Sequence, residues 1–183
     1  MNSSTNKNLN LPNILASFRI ALAPLMLWFM IDQSNSIFDG WHPSWFDYMA
    51  GLIFVIASIT DFFDGFIARR WNQMTKLGAI LDPLADKMLM LAGFIGLIAL
   101  DRASAFAVFL ILSREFFITG LRVVAVAEGK EISSSMAGKI KTVVQMIAIG
   151  FLIMNWPFAT ALLWIAVALT LYSGYEYIKG YLN

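Results

Sequence analysis

Residues 11–31 read LPNILASFRIALAPLMLWFMI, an apolar stretch whose one charge is Arg19. A helix of about 20 such residues spans a hydrocarbon layer of about 30 Å. Working outward from it, further apolar runs cover roughly 47–69, 79–100, 104–127, 137–154 and 157–178. Each should be a helix, because backbone amides in lipid must be satisfied within their own segment. Hydrophobic residues make up 59% of the 183 positions, charged residues only 14%, and the mean hydropathy is +0.70. Soluble domains of this size carry about 25% charged residues. The expected fold is therefore an all-α integral membrane protein, a bundle of six transmembrane helices forming a single domain over 1–183. Loops and short tails take up the remainder, and no separate soluble domain is expected.

The absence of cysteine excludes disulfides, thiolate metal sites and cysteine nucleophiles. A net charge of +1 provides no basic face for nucleic acid. His42 is the sole histidine, so histidine chemistry would rest on that residue alone. Pro12 suits a first helical turn, where its missing amide is harmless. Asn155-Trp156-Pro157 predicts a very tight turn, with Pro157 opening the last helix. The polar residues 1–10 followed by an apolar run imitate a signal peptide. That run is too long for an h-region of about 7–15 residues and no A-x-A-like site follows it, so it reads as a retained first span.

Lysine and arginine set the orientation. The first connection, Asp32 to Asp47, and the fifth, Asn155 to Pro157, carry none, and the third has only Arg102. The second contains Arg69, Arg70 and Lys76, with Lys87 just beyond, and the fourth is flanked by Arg122, Lys130, Lys139 and Lys141. Lys7 and Lys179 lie on the tails. Both termini and the even-numbered connections are therefore expected in the cytoplasm.

Between residues 61 and 87 stand four aspartates, two arginines and two lysines. Asp61 and Asp64 are spaced i, i+3 near the end of the second run, and Asp82 and Asp86 i, i+4 at the start of the third. Each pair projects from one helix face, and a short cytoplasmic loop brings the faces together. Four ionised carboxylates in a partly desolvated pocket repel one another, and two divalent cations would cancel their formal charge. An all-oxygen ligand set suits magnesium or manganese, and paired ions clamp the attacking and leaving oxygens in displacement at phosphorus. Helix capping is the plainer explanation of acids at helix ends, and Asp82 suits it. Asp61, placed before its helix ends, does not, and ionisable groups inside a membrane mark functional sites. Gly65, Ala68 and Gly78 either let helices approach closely or leave room for a nucleotide.

The run Asp61-Phe62-Phe63-Asp64-Gly65-Phe66-Ile67-Ala68-Arg69, then Gly78, Asp82 and Asp86, resembles the signature of the CDP-alcohol phosphatidyltransferase family, D-x2-D-G-x2-A-R-x8-G-x3-D-x3-D, without a gap. The likeness extends to six spans and to Pro12-Asn13 leading to Arg19. It implies Asp61, Asp64, Asp82 and Asp86 as ligands of two Mg2+ (or Mn2+) ions, with Asp86 also the general base. It places Asn13, Asp61, Gly65, Ala68, Arg69, Thr75 and Gly78 around CDP-diacylglycerol. It also implies a homodimer in the bacterial cytoplasmic membrane with its site facing the cytoplasm. SREFFITGLR (113–122) and GKIKT (138–142) are most similar to members whose acceptor is glycerol 3-phosphate and whose products are phosphatidylglycerol phosphate and CMP.

Such an acceptor brings a phosphate that needs fixed cations. Arg114, Arg122, Lys139 and Lys141 are the candidates, Arg114 and Lys139 ahead of the other two, since arginine forks bind phosphate bidentately and lysine acts as a point charge. Against this, Arg114 has Glu115 as a neighbouring acid, and both lysines fit the positive-inside pattern. Arg19 either reaches the pocket or snorkels. Another acceptor, such as inositol phosphate or phosphatidylglycerol, is the closest rival reading. A cation-coupled transporter would place its carboxylates near the midplane rather than at one rim. A scaffold subunit needs no carboxylate cluster, and a phospholipase-D-type synthase needs paired histidine motifs.

Overall fold

The computed structural model describes residues 11–32, 40, 42–70, 78–129 and 136–182; the side chains of 12, 43, 62–70, 79, 80 and 182 lie outside that description. Among the described residues the chain forms six helices and no strand. They are α1 (Leu11–Ile31), α2 (Pro43–Arg70), α3 (Gly78–Ala99), α4 (Ala105–Ala127), α5 (Met136–Ile153) and α6 (Ala159–Leu182). Three of these, over Asn13–Ile31, Met136–Ile153 and Ala159–Tyr181, are long and apolar enough to cross a membrane. In α3 and α4 charged residues interrupt the apolar pattern, including Asp82, Asp86, Arg114 and Arg122.

Two expected boundaries move. α2 begins at Pro43 rather than near 47, because proline is pre-organised for the first helical position. α6 begins at Ala159 rather than Pro157. Asn155 and Phe158 both adopt positive φ, at 51° and 65°, so the connection is a longer, left-handed turn. Ser104 caps α4, its hydroxyl accepting from the Ala107 amide.

By its contacts the chain divides into two compact units, Met1–Ala99 and Leu100–Asn183. In the first, α1 packs on both α2 and α3. Its buried stripe is Asn13, Ala16, Arg19, Ala23, Met26 and Met30, the 3–4 spacing of a packed helix face. Ala50, Ala57, Ala85 and Ala92 are buried in the same unit and keep these helices close. Gly96 permits a close approach: a Cβ there would lie 2.7 Å from Met30 Sδ and 3.1 Å from Met30 Cβ. In the second unit α6 packs against both α4 and α5. Its core combines Ile111, Ile118, Ile149, Leu152, Leu163 and Val167 with buried Lys141, Gln145, Thr170 and Ser173.

Candidate active site

The first unit gathers its charges at one place. Arg19, in the middle of α1, is wholly buried, which rules out snorkelling. Its Nη1 donates to Asp61 Oδ1 on α2 and to Asp86 Oδ1 on α3, and its Nη2 lies 3.8 Å from Asp82 Oδ1. The three aspartate side chains keep 33%, 38% and 43% of their surface exposed, so each retains a side that a ligand can reach. Asp61 lies well inside α2 and no acid occupies the first turn of α3. Helix capping therefore does not account for any of the three.

Burying an arginine requires paired charge, and three carboxylates around one guanidinium leave negative charge in excess. Asp82 Oδ1 is buried and accepts no hydrogen bond among the described residues. Such an oxygen is costly unless something satisfies it, and a hard divalent cation does so with oxygen donors alone. The residues present thus fit a divalent ion in the chemistry of their donors. The carboxylates meet on Arg19, and among the described residues no three acids, histidines or cysteines are gathered closely enough to share a metal.

Gly78, expected beside the nucleotide, is buried at the first position of α3, and Asn13 is buried on the α1 stripe. The side chains of Asp64, Gly65, Ala68 and Arg69, and the whole of Thr75, lie outside the described residues.

The second unit holds the other candidate cations. Arg114 Nη2 donates to Ser173 Oγ at 2.9 Å, and its Nη1 lies 3.5 Å from Glu115 Oε1. Lys141 Nζ donates to the same Glu115 oxygen. Lys141 is buried, whereas Lys139 is exposed. Two residues apart on a helix, the lysines point to nearly opposite faces. Lys141 is the one in phase with buried Gln145, Ala148 and Leu152. Arg122 lies over the Tyr177 ring, 5.8 Å from its centroid. The structure therefore groups Arg114 and Lys141 around Glu115, sets Arg122 against an aromatic face, and leaves Lys139 outside that group.

Three polar residues of this unit escaped sequence reasoning: Ser173, Gln145 and Thr170. Glu115, the neighbouring acid already read from the sequence, links Arg114 to Lys141. Ser173 accepts from Arg114, and Gln145 Nε2 donates to Thr170 Oγ1 at 2.7 Å. The 3–4 spacing of Thr170, Ser173 and Tyr177 puts them on one face of α6, and that stripe was the available signal.

Comparison with known proteins bears on the same residues. The family model of the CDP-alcohol phosphatidyltransferases matches residues 9–172. A Bacillus subtilis protein named CDP-diacylglycerol–glycerol-3-phosphate 3-phosphatidyltransferase is 42% identical, over 93% of this chain and 94% of its own length. Proteins of the same name from Rickettsia felis and Shigella flexneri serotype 5b are 37% and 36% identical over the same shares. The family match takes in α1 to α5 and the first part of α6, with the aspartates that converge on Arg19 and the cations around Glu115. This chain belongs to the CDP-alcohol phosphatidyltransferase family.

Proposed function

We propose that the protein transfers the phosphatidyl group of CDP-diacylglycerol to glycerol 3-phosphate, forming phosphatidylglycerol phosphate and CMP. The observation that carries the chemistry is the meeting of Asp61, Asp82 and Asp86 on buried Arg19, at the ends of one family motif. The choice of acceptor is supported by the relatives' names and by the grouping of Arg114 and buried Lys141 around Glu115.

In this reading Asp86 takes the proton from the acceptor hydroxyl. The freed oxygen bonds in line to the phosphorus bearing the diacylglycerol. The bond from that phosphorus to the oxygen of the CMP phosphate breaks, and CMP leaves with the electron pair. Asp61, Asp64, Asp82 and Asp86 would hold Mg2+ or Mn2+, two ions in all, which supply Lewis-acid polarisation and charge neutralisation at the phosphates. Arg19 keeps the carboxylates gathered between α1, α2 and α3. Asn13, Asp61, Gly65, Ala68, Arg69, Thr75 and Gly78 surround the CDP group. Arg114, Lys141 and Arg122 hold the acceptor phosphate, and exposed Lys139 adds positive potential that attracts the anion.

The wider setting belongs to the same proposal. All six helices span the cytoplasmic membrane of a bacterium as one catalytic domain, with both termini and the site on the cytoplasmic side. The lysine and arginine asymmetry supports that orientation. The enzyme works as a homodimer.

The reading is tested by incubating purified protein with CDP-diacylglycerol, magnesium and separate acceptors: glycerol 3-phosphate, inositol phosphate and phosphatidylglycerol. A phosphatidylglycerol phosphate product with glycerol 3-phosphate alone is expected. Turnover with inositol phosphate or phosphatidylglycerol, and none with glycerol 3-phosphate, would overturn the choice of acceptor.

A further inference from the structure

The helix to which the proposed chemistry assigns nothing is α6, yet it supplies a hydrogen-bond acceptor and a close backbone contact to Arg114. The α6 residue Ser173 is fully buried. Its hydroxyl accepts from Arg114 Nη2 at 2.9 Å and donates to the Thr170 carbonyl at 3.1 Å. The hydroxyl is thus aimed at the guanidinium by a bond to its own helix. Beside it, Gly174 presents bare backbone to the arginine stem. A Cβ at that position would lie 3.1 Å from Arg114 Cγ and 3.2 Å from Arg114 Nε. Contacts so tight require the neighbour to move by a few tenths of an ångström.

The stem has little freedom to do so. Arg114 is tied at its head by Ser173 and Glu115 and at its root by α4. The same face of α6 continues one turn on to Tyr177, which lies under Arg122. Below it, Thr170 Oγ1 accepts from buried Gln145 of α5 and donates to the Ala166 carbonyl at 2.6 Å. That ladder of bonds fixes the height of α6 against α5.

We propose that Ser173 and Gly174 are positioning residues for acceptor recognition: the hydroxyl fixes the angle of the Arg114 guanidinium, and the missing Cβ fixes its depth. An arginine fork recognises phosphate through its geometry as well as its charge. A small displacement should therefore weaken recognition of the acceptor and leave the donor untouched. This inference rests on reading Arg114 as a ligand of the acceptor phosphate.

The test compares Ser173→Ala, Gly174→Ala and Arg114→Ala with the wild type in mixed micelles, varying glycerol 3-phosphate and CDP-diacylglycerol separately. Ser173→Ala should raise the KM for glycerol 3-phosphate about three- to tenfold, the scale of one hydrogen bond. Gly174→Ala should raise it about tenfold, as a sub-ångström misplacement does. In both, the KM for CDP-diacylglycerol should stay at the wild-type value. If Arg114→Ala raises the acceptor KM while both α6 variants match wild type, the inference is overturned and the reading of Arg114 stands. If Arg114→Ala leaves the acceptor KM unchanged, that reading fails and takes the inference with it. Equal increases in both KM values, or a fall in kcat alone, would reveal a merely structural role and overturn it too. Should Gly174→Ala fail to fold, Ser173→Ala, which removes a single oxygen, decides the question.

Discussion

Arg19 carries the positive charge that three aspartates share, so substituting it and substituting an aspartate unbalance the cluster in opposite directions. Asp61→Ala should abolish turnover at any acceptor concentration, because it removes a proposed ligand of the divalent ion that would neutralise charge on the transferring group. Asp86→Asn keeps the shape and one acceptor oxygen but loses the base. Binding of a CDP nucleotide, followed by calorimetry, should survive while kcat collapses; an Asp86→Asn enzyme with wild-type kcat would exclude Asp86 as the base. Arg19→Met leaves the carboxylates to repel one another. Its melting temperature in chelator should fall, at a cost of about 2 kcal/mol for charged hydrogen bonds to partly exposed partners. Magnesium should restore more of the loss than it adds to wild type, since a ligand that binds only the folded state stabilises it. Identical magnesium responses in the two proteins would contradict the shared-charge account. Lys141→Met should weaken the acceptor far more than Lys139→Met, read as separate KM values. These residues were unequally legible. The aspartates stand out because charge inside apolar runs demands a reason. Lys139 and Lys141 look alike until the phase of α5 shows which of them faces inward.

The helices were the most legible elements, because long apolar runs announce them directly. Their ends were less so, and for local reasons: Pro43 starts a helix earlier than hydropathy suggests, and the positive φ of Asn155 and Phe158 delays α6 to Ala159. Of the contacts between elements only the approach of α2 to α3 was legible, from the two aspartate pairs; run length says nothing about which other helices pair. The α1–α3 crossing at Gly96 and Met30 is an example. Gly96→Ala should destabilise by about 1–3 kcal/mol, the usual cost of overpacking. Met30→Ala should cost less in the Gly96→Ala background than in the wild type, because the added methyl fills part of the space that Met30 leaves. Thermal unfolding in detergent measures the cycle, and strictly additive losses would refute the close approach.

For the whole molecule, a 14% charged fraction already implied a membrane setting, and the motif from Asp61 to Asp86 implied the family. The division into Met1–Ala99 and Leu100–Asn183 was hidden, because it depends on α1 packing on α2 and α3 while α6 packs on α4 and α5. That arrangement puts Asp61, Asp82 and Asp86 in the first unit with Arg19, and Arg114, Glu115 and Lys141 in the second. The proposed group transfer releases CMP only when an acceptor hydroxyl attacks. Its most direct test counts CMP and lipid product together, in mixed micelles of CDP-diacylglycerol with magnesium, in the presence and absence of glycerol 3-phosphate and of chelator. One CMP for each phosphatidylglycerol phosphate is predicted, with neither formed when the acceptor or the divalent ion is withheld. Release of CMP at an undiminished rate without glycerol 3-phosphate, or full turnover in a verified metal-free preparation, would contradict it.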